Sequence, residues 1–237
     1  MKKFIFLSFI AFILHPALQA QEEKSSTGFN LGTDLTSRYI WRGIALSSTP
    51  ALQPYAEISK KGFTFGAWGS YTIAPEPFQE VDLYMSYTKG AFTFTFYDYY
   101  IPVEAGGYIN DYFNWNQTAT AHTLEAVIHV SDIPNLPLAI TAGVILYGDD
   151  LNAEGKQNFS SYIEPAYNFS VGKTKLNIFA GLTLAEGLYA EQFSFVNTGI
   201  SAKKDIEITE KFKLPISTAF VLNPDAGDVF LVFTITL

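Results

Sequence analysis

The chain has no cysteine. Disulfide scaffolds, cysteine-based metal centres and lipoprotein attachment through an N-terminal cysteine are therefore excluded. Histidine is scarce, at three residues, and forms no cluster with metal-ligand spacing. Glycine-rich phosphate loops are missing too. No metal site and no cofactor is expected. Basic residues number 15 against 23 acidic ones, which argues against a nucleic-acid partner, because phosphate binding needs a net basic surface. Past residue 20 no apolar run approaches the roughly 18 residues that a membrane-crossing helix requires, and helical periodicity is nearly absent.

What is present starts with a leader. Lys2 and Lys3 precede an apolar run from Phe4 to Leu14, Pro16 breaks it, and Ala20 suits cleavage before Gln21. This is the pattern of a secretory signal peptide over 1–20. Its removal takes away two lysines and moves the formal charge from −8 to −10. The expected layout is a cleaved signal at 1–20, a short periplasmic segment at 21–27 and one folded unit at 28–237.

Aromatic residues make up 16% of the chain, with 14 Tyr and 21 Phe. Period-2 alternation of apolar and polar residues runs almost throughout, as half-buried strands require. It predicts twelve strands, at 28–42, 51–59, 62–72, 80–88, 91–99, 121–131, 137–147, 159–169, 173–183, 193–203, 211–222 and 228–237. Most have the 9–11 residues that a tilted strand needs to cross a bilayer. Short connections, such as Lys60–Lys61 and Lys89–Gly90, alternate with longer ones, such as Tyr100–Thr120 and Gly148–Asn158. The final strand has a wholly apolar face of Val229, Leu231, Phe233, Ile235 and Leu237. A soluble sandwich explains the alternation equally well, but not the alternating loop lengths or that terminal strand. The expected fold is all-β: an antiparallel transmembrane β-barrel of about 12 strands, with short periplasmic turns and longer outer loops. Outer-membrane lipids, and the barrel-assembly machinery acting on 228–237, are the partners this implies.

Two stretches carry a resemblance. One runs Asp34, Leu35, Thr36, Ser37, Arg38, Tyr39, Ile40, Trp41, Arg42, Gly43, Ile44. The other runs Gly62, Phe63, Thr64, Phe65, Gly66, Ala67, Trp68, Gly69, Ser70. Together they resemble the Gcw_chp family, also called TorF-type porins. The run from Lys203 to Pro224 is similar to that family as well. The resemblance implies an outer-membrane barrel and leaves the solute open. Leu237 departs from the aromatic residue that commonly ends such chains.

If the apolar face meets lipid, the other face lines the lumen. That places Asp34, Arg38, Arg42, Glu57, Asp82, Glu125 and Glu164 inside, as a wall that selects small solutes or as charges that pair to fill a narrow barrel. The long loop offers Tyr108, Asp111, Tyr112 and Trp115 as a constriction or a ligand surface. Asp149, Asp150, Asn152 and Glu154 lack the full calcium-loop spacing and read as a solvated acidic loop. His129 and Ser131 are similar to the His-x-Ser pair of outer-membrane phospholipases. They are predicted to face the lumen near a short turn, which does not suit an acyl-chain hydrolase, so no enzyme is expected. The expected function is passive passage of small hydrophilic solutes through an outer-membrane barrel. The alternative is a non-conducting barrel whose outer loops bind a ligand, a surface or a partner protein.

Overall fold

The structure, a computed structural model, describes residues 27–73, 78–102 and 110–237. The expected leader and Tyr108 lie outside the described residues. These hold no helix and form a closed antiparallel barrel of twelve strands. The wall consists of β1 (Gly28–Thr36), β4 (Ala51–Lys60), β5 (Phe63–Thr72), β6 (Gln79–Lys89), β7 (Phe92–Tyr100), β8 (His122–Val130), β9 (Leu138–Gly148), β10 (Ser161–Val171), β11 (Thr174–Thr183), β12 (Ser194–Glu207), β13 (Lys213–Asn223) and β14 (Asp228–Thr236). Two further short strands, β2 (Tyr39–Trp41) and β3 (Ile44–Ser47), pair only with each other. Each wall strand pairs with its sequence neighbours, and β14 closes on β1 with Asp34 opposite Thr236 and Thr36 opposite Thr234.

Strand alternation sorts the side chains by face. On β7, Phe92, Phe94 and Phe96 are exposed on the outside, while Thr93, Thr95 and Tyr97 point inward. Phe29, Leu31, Phe65, Met85, Ile140, Ile178, Phe220, Leu231 and Phe233 extend the exposed apolar surface around the wall. The polarity is thus reversed relative to a soluble barrel: the outside is apolar and the inside carries the polar and charged groups.

At one end, here the turn end, the connections are tight. Lys61–Gly62 (φ 52° and 82°) joins β4 to β5, and Gly90 and Gly172 (φ 60° and 59°) open two-residue turns. Positive φ there gives a hairpin the twist that its strands need. The turn end also holds the longer connections 131–137 and 208–212; at the opposite, loop end most connections are longer still, with 224–227 the short exception.

One predicted strand requires correction. The first was expected to run through 28–42 as wall, but β1 stops at Thr36. Ser37 makes the last bonds to β14: its N–H donates to the Phe233 carbonyl (2.8 Å) and its Oγ accepts from the Phe233 N–H (3.0 Å). The chain then turns into the barrel as the β2–β3 hairpin. Alternation cannot mark this exit, because the hairpin strand keeps the same period as the wall.

Candidate functional site

The β2–β3 hairpin crosses the lumen at the loop end. Its tip is Arg42–Gly43, both at positive φ (50° and 82°), between the paired residues Trp41 and Ile44. A non-glycine residue in this region costs about 1–2 kcal/mol. What holds Arg42 there is its side chain. Nη1 donates to Glu125 Oε1 (2.6 Å) and to the Tyr189 hydroxyl (2.5 Å), and Nη2 donates to Glu125 Oε2 (2.9 Å). Such a two-pronged pairing is among the strongest that side chains make. Tyr99 adds a hydrogen bond to Glu125 Oε2 (2.8 Å). The guanidinium also lies over the rings of Tyr162 (4.5 Å) and Trp41 (4.7 Å), a cation–π arrangement. Glu125 is fully buried, so loss of its partner would leave a charge in a dry site. Burial alone lowers the pKa of Arg42, but Tyr189, Glu125 and Tyr99 more than offset it and the net direction is upward.

Gly43 is required for space as well as for its φ. A Cβ there would run into the Val196 carbonyl on β12, and Asn223 of β13 donates to the Gly43 carbonyl (3.2 Å). Around this tip Tyr162, Tyr189 and Val196 form a buried core, with Trp41 and Ile44 packed on it. At the hairpin base Tyr39 packs on Trp68 (5.4 Å). The hairpin therefore touches β5, β7, β8, β10, β12 and β13 and spans the interior as a plug.

The predicted lumen residues fall into distinct places. Glu125 and Arg42 meet in the plug latch. Glu164 accepts from the Tyr162 hydroxyl and from Asn197 (2.8 Å), buttressing the ring beneath Arg42. Arg38 leaves the wall with the hairpin and lies over Phe230 (5.9 Å). Asp82 and Asp34 face the packed half, where Asp34 Oδ1, Asp82 Oδ1 and Glu80 Oε2 are buried without a hydrogen-bond partner among the described residues. Glu57 sits nearer the turn end and accepts from Tyr84 (2.6 Å) and Asn30 (3.0 Å).

The loop candidates take another course. Tyr112 donates to Asp98 (3.2 Å), and Trp115 stacks on His122 at 3.8 Å. Asp98 and His122 are themselves paired (2.6 Å). Both share a sheet face with Leu83 and Leu124, the outward one, so Tyr112 and Trp115 cover the outside of the rim and form no constriction. Asp111 is exposed. In the acidic loop, Asp150 is buried and accepts from Ser160 and Gln157, which orders the loop. Among the described residues no group of three potential ligands could hold a metal. His129 bonds Thr141 (2.8 Å) and Ser131 bonds Asp132 (3.0 Å), with no hydrogen bond joining the two.

Tyr189, Tyr99, Glu80, Asn197 and Asn223 were not among the sequence candidates. Glu80 had a usable signal, since it lies two residues before Asp82 on the same face. Tyr189 had none, because it comes from a loop without periodicity.

A family model matches residues 20–222, a span that takes in the whole hairpin with its Arg42–Gly43 tip. The chain belongs to the Gcw_chp family. This is a family of bacterial proteins of unknown function. No curated protein matches the chain. The Gcw_chp fold seen here, a closed barrel apolar on its outside, is typical of outer-membrane proteins. Its Arg-Gly step serves as the turn of an internal hairpin. One further feature lies at the loop end: a groove of about 670 Å³ bounded by residues 187–192 and Asp225, beside the plug.

Proposed function

We propose that this protein is a bacterial outer-membrane barrel that handles small hydrophilic solutes and is held shut by its own first loop. The observation that carries the reading is the reversed polarity: a polar interior enclosed by an apolar outside has its natural solvent in lipid. The turn end then faces the periplasm and the loop end faces out. Lipids contact the exposed apolar belt, and the assembly machinery acts on strand 228–237. The hairpin fills the outer half, so passage of solute requires that Arg42 release Glu125. A porin of this kind, similar in role to the TorF-type proteins, is closed at rest and opens when the hairpin withdraws.

A second reading is favoured by the groove beside the plug. In it the barrel never conducts, and the loops around residues 187–192 bind a ligand or partner. Neither reading assigns catalysis to His129 or Ser131.

Planar-bilayer recording separates the two. The full-length protein is expected to show rare, small steps, and a variant with 38–47 replaced by a Gly-Ser linker is expected to show large, lasting ones. A folded linker variant that stays silent would overturn the porin reading and leave the binding one.

A further inference from the structure

The turn-end half of the lumen differs from the plugged half in charge as well as in packing. Lys175 on β11 and Lys203 on β12 stand directly opposite each other in the register. Both face the lumen: Lys175 shares its face with Asn177 and Gly181, whose missing side chain leaves room for the Tyr162 ring, and Lys203 shares its face with Asn197, which donates to Glu164. Directly opposed residues have Cβ atoms only about 4.5–5.5 Å apart, and like charges so placed are destabilising. Both side chains are exposed, and among the described residues neither is within ion-pair distance of a carboxylate. Two other lysines at this end are engaged, because Glu207 takes Lys173 (3.5 Å) and Lys213 (3.8 Å). Asp205 lies two residues beyond Lys203 on the same face without pairing with it.

The register extends this pair into a row. Ser170 stands opposite Lys175, and Ser217 stands opposite Lys203. Four adjacent strands thus present Ser170, Lys175, Lys203 and Ser217 side by side on the inner wall. With strands about 4.8 Å apart, the row is roughly 14 Å wide and offers two cations flanked by two hydroxyl donors. One layer deeper, Asn177 donates to Asn168 (2.7 Å), continuing the polar wall. A repulsive pair held face to face on the inner wall, one step in from the turn-end rim, has a use when a counter-charge arrives between its members.

We propose that this row is a binding site for small multivalent anions, carrying carboxylate or phosphate groups, that enter the lumen from the turn end. The inference deepens the proposed function and rests on it for the route of the solute, whereas binding is measurable without conduction. Two anionic oxygens bridging Lys175 and Lys203 would relieve the repulsion and gain charge-assisted hydrogen bonds.

The test uses the full-length protein folded in neutral detergent, titrated calorimetrically with citrate, with pyrophosphate and with a neutral disaccharide. Citrate or pyrophosphate is expected to bind, the disaccharide is not, and the stronger of the two anions names the oxygen chemistry. K175Q/K203Q is expected to weaken binding roughly tenfold or more. K60Q/K89Q, which removes the same charge at the turn end outside the lumen, is expected to leave it unchanged. Thermal unfolding gives a second readout. K203Q should raise the unfolding midpoint without anion, and anion should raise the wild-type midpoint but not that of the double variant. Equal affinity in both double variants, no anion binding at millimolar concentration, or a lowered midpoint in K203Q would overturn the site. Anion binding alongside a silent linker variant would sustain the site while removing the porin reading.

Discussion

At the loop end the barrel interior is packed. Glu125, Tyr162, Val196, Ser70 and Thr183 are almost wholly buried there, and the hairpin fills the space between them. Toward the turn end the inward-facing Asn30, Ser59, Asn168, Lys175 and Lys203 are exposed, and no second layer covers them. The strands of the two halves are continuous and alternate throughout, apart from bulges where β12 meets β11 at Gly181–Leu182 and where β9 meets β8 at Leu124–Glu125. The difference comes from a single departure, at Ser37, where the chain leaves the wall and enters the lumen. A barrel of this width has room for one internal hairpin, and whether its interior is a core or a cup depends on where that hairpin is tethered.

The sharpest way to break the contrast is to cut the latch. Glu125→Ala would leave the Arg42 guanidinium buried without its counter-charge and is expected to cost about 3–5 kcal/mol, read by denaturant unfolding. In a W68F/W115F background the emission of Trp41 should also become open to aqueous quenchers. The double replacement R42L/E125L, which removes both charges, should recover most of that loss. A cost below about 1 kcal/mol for Glu125→Ala would show that the ion pair does not hold the plug.

Next in size is the pair of glycines that distinguishes the halves. Gly43→Ala meets both the positive φ and the Val196 carbonyl and is expected to cost about 1–3 kcal/mol. Gly172→Ala has a similar φ sign at the turn end with nothing within 4 Å of the new atom, and is expected to cost about 1 kcal/mol. Equal costs would mean that the tip has room to shift. The smallest effect belongs to the open cup: Asn177→Ala should change stability by no more than about 0.5 kcal/mol, so a larger loss would mean that the cup wall is packed after all.

Much of this was legible in the sequence. The strand count, the alternation of short and long connections and the inward placement of Glu125 and Glu164 follow from period 2 alone, because an apolar outside and a polar inside impose it on every stave. The end of the first strand was not legible. Tyr39 and Trp41 continue the alternation inside the lumen as they would in the wall, and Arg42–Gly43 reads as a turn only once Arg42 is known to adopt positive φ. The long loop, expected as a constriction or a ligand surface, has Tyr112 and Trp115 on the outer rim, where they form no constriction. Its anchor was visible in hindsight, since Asp98 and His122 interrupt an otherwise apolar outward face, and two polar groups so placed need a cover. Tyr112 and Trp115 supply it.

The seam between β1 and β14 joins Asp34 to Thr236, across nearly the whole chain, while the hairpin turn pairs Trp41 with Ile44, three positions apart. Local pairings of that kind form in microseconds, and the loop-closure entropy of distant ones is met last. Because the hairpin follows β1 directly, it is already tethered at the site where the final strand must arrive. The barrel therefore closes around its own stopper. Time-resolved quenching during refolding should find Trp41 shielded no later than the seam forms, and a wall that sealed first and admitted the hairpin afterwards would reverse that order.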